Sequence, residues 1–515
     1  MREVLEGHRP IEIRPKHRGI RRSWLAMLAV ALAIIVVAGT VYLARAWPFT
    51  RATVIKELEQ ATSSTVQIRE FHRTYFPHLG CVAVQVALKR GSDQQSQAEM
   101  MVEKLTVQGT WSGLLSKHLA LIKAEGAHAV FPPLGSGQSW KPTESNVVVD
   151  QFIANGSVVE FTRKDKPPLK FLVNEFAAHH LATYDPMKFE VRLRNPEPPG
   201  EVEASGTFGP WNMERVSATP VAGSYSFRDA NLGAFGGIGG RLSSNGQFHG
   251  TLEKIDVVGN TDTPDFLVRH SSHRMDLASD FQVQVDALDG NVELNQVVAR
   301  LARTVVVSHG RVADQGGQRG KTAALDLEVR NGRIQDLLRL FASEKQSPLS
   351  GVVSLTARTE VPPGPEPFLR KLQMTGDFGI ASALFGKRQT EQQLNKLSAV
   401  ARGEPEQAAD PANVLSDLRG HVVVHDGVAT FTDLSFHVPG ALARLHGTFN
   451  LTSERVDFHG TLFMKASLPK ASSGIKSFLL KAIDPFLKKN RRGGAEFPVS
   501  ITGTYQHPVY RADPV

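Results

Sequence analysis

Hydrophobic and polar positions alternate along much of this chain, most cleanly near its C-terminal end. Residues 418–464 read LRGHVVVHDGVATFTDLSFHVPGALARLHGTFNLTSERVDFHGTLFM. Leu445, Phe449 and Leu451 fall on one side of an extended segment, and Arg444, His446, Thr448 and Asn450 on the other. After a polar turn at Thr452–Arg455, Val456, Phe458, Leu462 and Met464 resume the apolar side against Asp457, His459 and Thr461. A period of two predicts strands with one apolar and one wet face. Asp426-Gly427, between Val422/Val424 and Leu434/Phe436/Val438, supplies two residues that tolerate φ > 0, as a tight hairpin requires. Asn155-Gly156, Asn245-Gly246, Asp289-Gly290, His309-Gly310 and Asn331-Gly332 repeat the signal between apolar runs. Six such turns predict an antiparallel meander rather than βαβ units, which need helical spacers.

Helical signals are few. Thr50 followed by RATVIKELEQAT predicts a short capped helix with Val54, Ile55 and Leu58 on one stripe. Residues 333–342 and 381–401 predict two more, the second carrying Leu384, Leu394 and Leu397. At 474–489, Ile475, Phe478, Leu479, Ile483 and Phe486 follow helical spacing, with Pro485 ending or kinking the helix. This stripe has two readings, an interfacial membrane helix or a lid packed on the sheet. Pro-rich breaks at Phe131–Pro133, Asn195–Gly200 and Val361–Pro367 are candidate boundaries. The last divides a β-rich region at 50–360 from a C-terminal module at 368–515.

One stretch breaks the β pattern. Trp24 to Leu43 carries no charge, and twenty residues in a helix span about 30 Å, the thickness of a hydrocarbon core. A transmembrane helix over 23–44 is predicted, with Leu28, Leu32, Ile35 and Val37 in lipid and Trp24 and Tyr42 at its interfaces. Seven basic residues precede it, against Arg45, Arg51 and Lys56 soon after, which places residues 1–22 in the cytoplasm as a disordered basic tail.

Charge sharpens this picture. The net charge of +8 concentrates in residues 1–22 (+4) and 470–492 (+6), leaving 8 − 4 − 6 = −2 on the body. A nearly neutral body excludes a nucleic-acid footprint, which needs a basic stripe on the fold. The lone Cys81 excludes an intrachain disulfide, and its alternating strand context predicts a buried apolar role. Gly236–Gly240 lacks GxGxxG spacing and a Walker lysine and reads as a loop. His179-His180 and the pair His270 and His273 have no carboxylate or thiolate beside them in sequence. His421 and His425 read as solvent-facing. No catalytic motif, metal site or cofactor is predicted.

The N-terminal span, the helix at 51–62, VQIREFHRTYFPHLGCVAVQVALKR (66–90) and the C-terminal module resemble the AsmA-like family of bacterial envelope proteins. The Asp-Gly hairpin, the Pro439-Gly440-Ala441 corner and Ile483-Asp484-Pro485-Phe486 are similar to that family's C-terminal pattern. GTFGPWN (206–212) resembles a family segment more loosely. The resemblance implies a mainly β protein, in which a transmembrane helix precedes an elongated, curved antiparallel sheet forming a half-open groove. It also implies a single-pass inner-membrane protein, bulk in the periplasm, that moves phospholipid between inner and outer membranes. Leu434, Phe436, Leu445, Phe449, Leu451, Val456, Phe458 and Leu462 are then the candidate lipid-facing residues. The alternative is a non-transporting scaffold or assembly factor for outer-membrane proteins. Alternation fits an open groove and a closed core equally.

Overall fold

The alternating segments form strands that pair in chain order, each turning back on the one before. In a computed structural model the described residues are 49–512, apart from 90–99, 114–117, 132–146, 163–166, 269–272, 288–289, 315–320, 341–346, 387–390, 399–415, 465–494 and positions 63, 236, 348, 365, 393, 396–397 and 506. The basic tail at 1–22, the span at 23–44 and the helix at 474–489 lie outside these residues. Among the described residues no helix is long and apolar enough to cross a membrane.

The strands of the N-terminal half are β1 (Thr65–Thr74), β2 (Leu79–Lys89), β3 (Met100–Gly109), β4 (His118–Phe131), β5 (Val148–Phe161), β6 (Leu169–Leu181), β7 (Met187–Pro196), β8 (Pro199–Phe208), β9 (Pro220–Asn231), β10 (Ile238–Gly239), β11 (Arg241–Thr251) and β12 (Lys254–Val268). There follow β13 (Met275–Val285), β14 (Val292–Leu301), β15 (Thr304–Asp314), β16 (Lys321–Arg333), β17 (Leu349–Val361), β18 (Gln373–Phe385), β19 (Ser416–His425), β20 (Val428–Val438), β21 (Ala441–Asn450), β22 (Arg455–Met464), β23 (Ala495–Thr504) and β24 (Pro508–Ala512). They make one long, curved, open sheet. Each strand pairs with its neighbours in sequence, except that β9 pairs with β11 while β10 lies against the far end of β12. Among the elements described from end to end, three short helices accompany the sheet: α1 (Arg51–Thr62), α2 (Ile334–Leu338) and α3 (Phe368–Lys371).

The meander is antiparallel with one exception. β4 and β5 run parallel. Two of the six dipeptide signals are turns. Asp426 (φ 49°) and Gly427 (φ 77°) form a two-residue hairpin between His425 and Val428, and Gly290 closes the β13–β14 turn. The other four lie inside strands. Gly156 (φ 58°) sits in β5 beside Gly126 (φ 63°) in β4, and pairing steps from Glu125↔Asn155 to His128↔Val158. Two residues on each strand lie between those pairs, the first of each a left-handed glycine, so the alternation restarts on the other parity and imitates a turn. Asn331-Gly332 does the same in β16, where pairing jumps from Val329 to Gly332. Such irregularities recur at many strand pairs, and each adds local bend and right-handed twist. They account for the curvature.

Helix α1 forms as expected, with the Thr53 N–H donating to Thr50 Oγ1 at 3.2 Å and Val54 buried. The helix at 333–342 is present but limited to α2. The expected helix at 381–401 is corrected at its start: 381–385 belong to β18, pairing with β17 and β19, because an extended ladder satisfies their backbone groups. Glu391, Gln392, Leu394, Asn395 and Ser398 are helical. Asn195–Gly200 is the tight β7–β8 hairpin, and Val361–Pro367 joins strands that pair with each other. Gly236–Gly240 is more than a loop, since Ile238 and Gly239 form β10.

Candidate functional site

Residues directly opposed in a β ladder point to the same face, so register traces a face from strand to strand. By register the backbone of Tyr510 in β24 pairs with Ile501, and the row passes on through Phe458, Gly447, Phe431, Val422, Gly376 and Ala357. The row continues through Leu327, Ser308, Val297, Phe281, Gly259, Gly246, Tyr225 and Ala204. It ends with Val191, Phe176, Ala154, Ala124, Leu105, Ala83 and Phe71. This row crosses every strand but β10 and contains no charged residue. A second row runs beside it from Val456, Phe449, Ala429 and Val424 through Phe248, Phe189 and Phe152 to Cys81, again without a charge. At about 4.8 Å per strand, twenty-two steps make a path of about 105 Å measured along the sheet.

The opposite face is polar and laced with cross-strand ion pairs. Arg192 meets Glu175 at 2.9 Å, Arg300 meets Asp280 at 2.7 Å and Arg358 meets Asp326 at 3.0 Å. Exposed pairs of this kind contribute little stability each, but a charged face fixes which side meets water. The Lys123 and Lys104 ammonium groups, at 2.8 and 3.1 Å, hold the Glu125 carboxyl below the usual carboxylate range. His128 and then Lys170 do the same for Glu160.

Cover over the apolar face is uneven. Helix α1 and Phe49 seal the first strands, where Cys81 is fully buried. Burial pushes the Cys81 thiol up to about 12, which makes it an inert packing group. Ile334, Leu337 and Leu338 of α2 cover Val329, Val353 and Ile380. In the C-terminal strands Leu434, Phe436, Leu445 and Leu462 pack with Val438 and Met464. Phe449 and Leu451 join a neighbouring cluster with Val422, Val424 and Phe431; Leu451 belongs to the turn after β21 rather than to the strand. Val456 is buried, and the Phe458 ring lies 5.6 Å from that of Phe431. The eight sequence-selected residues therefore share one face, within its better covered portion.

The middle differs. Among the described residues the four buried clusters draw on 49–154 and 306–501 only. Between them Phe176, Val191, Tyr225, Phe248, Val257, Phe281, Val283 and Val297 are half-buried, with no second layer over them. Aromatic rings here lie across glycines of the next strand. A Cβ placed on Gly246 falls 2.7 Å from the Tyr225 ring, and one on Gly259 falls 2.8 Å from Phe281. Rings lying flat leave the face shallow and unfilled. The repeated segment FHGTL, at 248–252 and 458–462, carries this device twice, with Phe248 opposite Gly223 and Phe458 opposite Gly447. Sequence reading missed these middle residues; glycine opposite an aromatic becomes a signal only once register is known.

Chemistry on the polar face is sparse. His421 Nδ1 lies 2.8 Å from Asp377, and His180, without a carboxylate neighbour in the sequence reading, faces Asp185 at 3.4 Å across the β6–β7 turn. Among the described residues no group of three or more His, Cys, Asp and Glu could hold a metal ion. The Tyr225 phenol, raised above its ordinary value by burial, hydrogen-bonds Ser244 at 3.0 Å, and Ser244 Oγ donates to the Asn260 carbonyl at 2.9 Å. No protein-family model, no curated protein and no solved structure matches this chain.

Proposed function

We infer that this chain is an AsmA-like, single-pass inner-membrane protein whose periplasmic sheet curls into a half-open groove for phospholipid. Its role is to handle lipid between inner and outer membranes in outer-envelope biogenesis and homeostasis. The observation that carries this reading is the uncharged face running unbroken across twenty-three of twenty-four strands (all but β10) and left half-exposed in the middle. Contiguous apolar surface on this scale marks an interaction site. An acyl chain gains about 0.8 kcal/mol per CH₂ taken out of water, so a lipid tail on these rows leaves its bilayer at low cost. Tyr225, Phe248 and Phe281, together with Phe449 and Phe458, are the proposed tail contacts. The polar face leaves the headgroup in water. No catalysis, cofactor or metal belongs to this reading.

The alternative, a scaffold for outer-membrane proteins, draws on β24, which among the described residues pairs on one side only and offers an edge for strand addition. Photo-crosslinkers at Phe281 and Phe458 of the full chain in cells separate the two. Capture of phospholipid at both positions supports transfer. Capture of protein alone, with no lipid co-purifying beyond that held by residues 1–48 expressed alone, overturns it.

A further inference from the structure

The described chain begins at Phe49, and its direction of departure follows from α1. Glu59 Oε1 accepts the Val66 N–H at 3.0 Å, and Arg51 Nη2 donates to the Ile68 carbonyl. The helix thus runs back along β1, and its first turn at Arg51 lies toward the end of the sheet where β1 turns into β2. The loops at that end lie side by side, because Leu79 pairs with Gly109, Gly109 with Leu119, Leu119 with Val149 and Val149 with Leu181. Among the described residues up to the end of β7, they carry the most exposed aromatic side chains: Phe76 at 90%, Tyr184 at 61%, Trp111 at 58% and Tyr75 at 53%.

Large aromatics at loop tips cost stability in water and are the residues that settle at a membrane interface. The tips stand seven residues beyond Ile68, about 23 Å of strand. Seven residues, the number between Leu43 and Arg51, span at most about 25 Å. That length is enough for the uncharged run to end at the level of the tips. Arg73 and His78 flank the first tip and suit an anionic leaflet.

We propose that Tyr75, Phe76, Trp111 and Tyr184 form a second membrane contact, seating the first strands on the leaflet that residues 24–43 cross. The contact holds the start of the apolar rows at lipid level. This inference rests on the anchor reading above. The test uses the full chain in nanodiscs whose lipids carry nitroxide quenchers just below the headgroup, in a Cys81→Ala background. A fluorophore is attached in turn at Phe76→Cys, Trp111→Cys, Val258→Cys (exposed at mid-sheet) and Leu32→Cys (in the uncharged run). The expected result is strong quenching at positions 32, 76 and 111, several-fold above position 258. Quenching at 32 with positions 76 and 111 no different from 258 overturns this inference and leaves the anchor standing. Absence of quenching at 32 overturns the anchor reading and this inference with it.

Discussion

The C-terminal strands β17–β22 and the middle strands β6–β14 share one alternation and one apolar face, yet they treat that face differently. In the first region Leu445, Leu462 and Val353 are almost wholly buried, at 8%, 5% and 2% exposure. In the second, Phe281, Phe248 and Val191 are half-open to solvent. The strands are not the cause, because both regions bulge, twist and pair in the same manner. The difference lies in what sits above the face. Helix α2 and large aliphatic neighbours fill the space over the first, while the second carries rings laid across glycines with none of the described residues over them. A β face is thus made core or binding surface by its cover.

Five measurements break or sharpen this comparison, the largest effect first. Cys81, under the α1 cover, has its thiol raised from 9.0 to about 12, so at pH 8 its thiolate is about a thousandfold scarcer than that of a free thiol. Alkylation of the native chain should be slower by at least that ratio and recover on unfolding. A thiol raised in the fold contributes stability that is full below pH 9.0 and is lost as pH climbs through about 12, so the stability it adds should be level at pH 6–9. Labelling at the free rate would show that the end is open.

Leu462→Ala should lower unfolding stability by about 3 kcal/mol, since a buried leucine leaves a cavity. Chemical denaturation reads this, and a loss below about 1 kcal/mol would place the C-terminal face in solvent. Gly246→Ala drives a methyl against the Tyr225 ring and should cost about 2 kcal/mol by overpacking. Tyr225→Ala in the same chain should recover part of that cost, the rest remaining because the methyl also falls 2.8 Å from the Val258 carbonyl oxygen. Phe281→Ala, on the open face, should cost only about 1 kcal/mol because the ring is half-solvated already, while reducing co-purified lipid. The reverse outcome, severe destabilisation with lipid unchanged, would make the middle a core. Asp326→Asn breaks the pair with Arg358 on the polar face and should change stability by less than about 0.5 kcal/mol. A larger effect would mean that the polar face, too, is structural.

Local chemistry was legible where it decided the outcome alone. The Thr50 cap, the Asp426-Gly427 hairpin and the buried Cys81 follow from the residues themselves. Asn245-Gly246 shows where such reading stops. The same dipeptide type that turns the chain in one place sits within a strand in another, because Gly246 is needed under Tyr225, a residue twenty-one positions away. Asn155-Gly156 looked like a turn because two left-handed glycines in paired strands switch the parity of the pattern. The strand at 381–385 carries helix-forming residues, and ladder partners on both sides overrule them. The parallel direction of the β4–β5 pair is something no period-two pattern encodes.

By itself, then, the sequence determined that this chain is mainly β, that its strands have one apolar and one polar face, and which residues in a strand share a face. Those are consequences of a two-residue period and of the φ > 0 demands of tight turns, both local. The tertiary structure alone decided that the faces of twenty-three strands join into one, where that face is sealed and where it is left open. Register and cover depend on partners far away in sequence. Alternation carries no record of them.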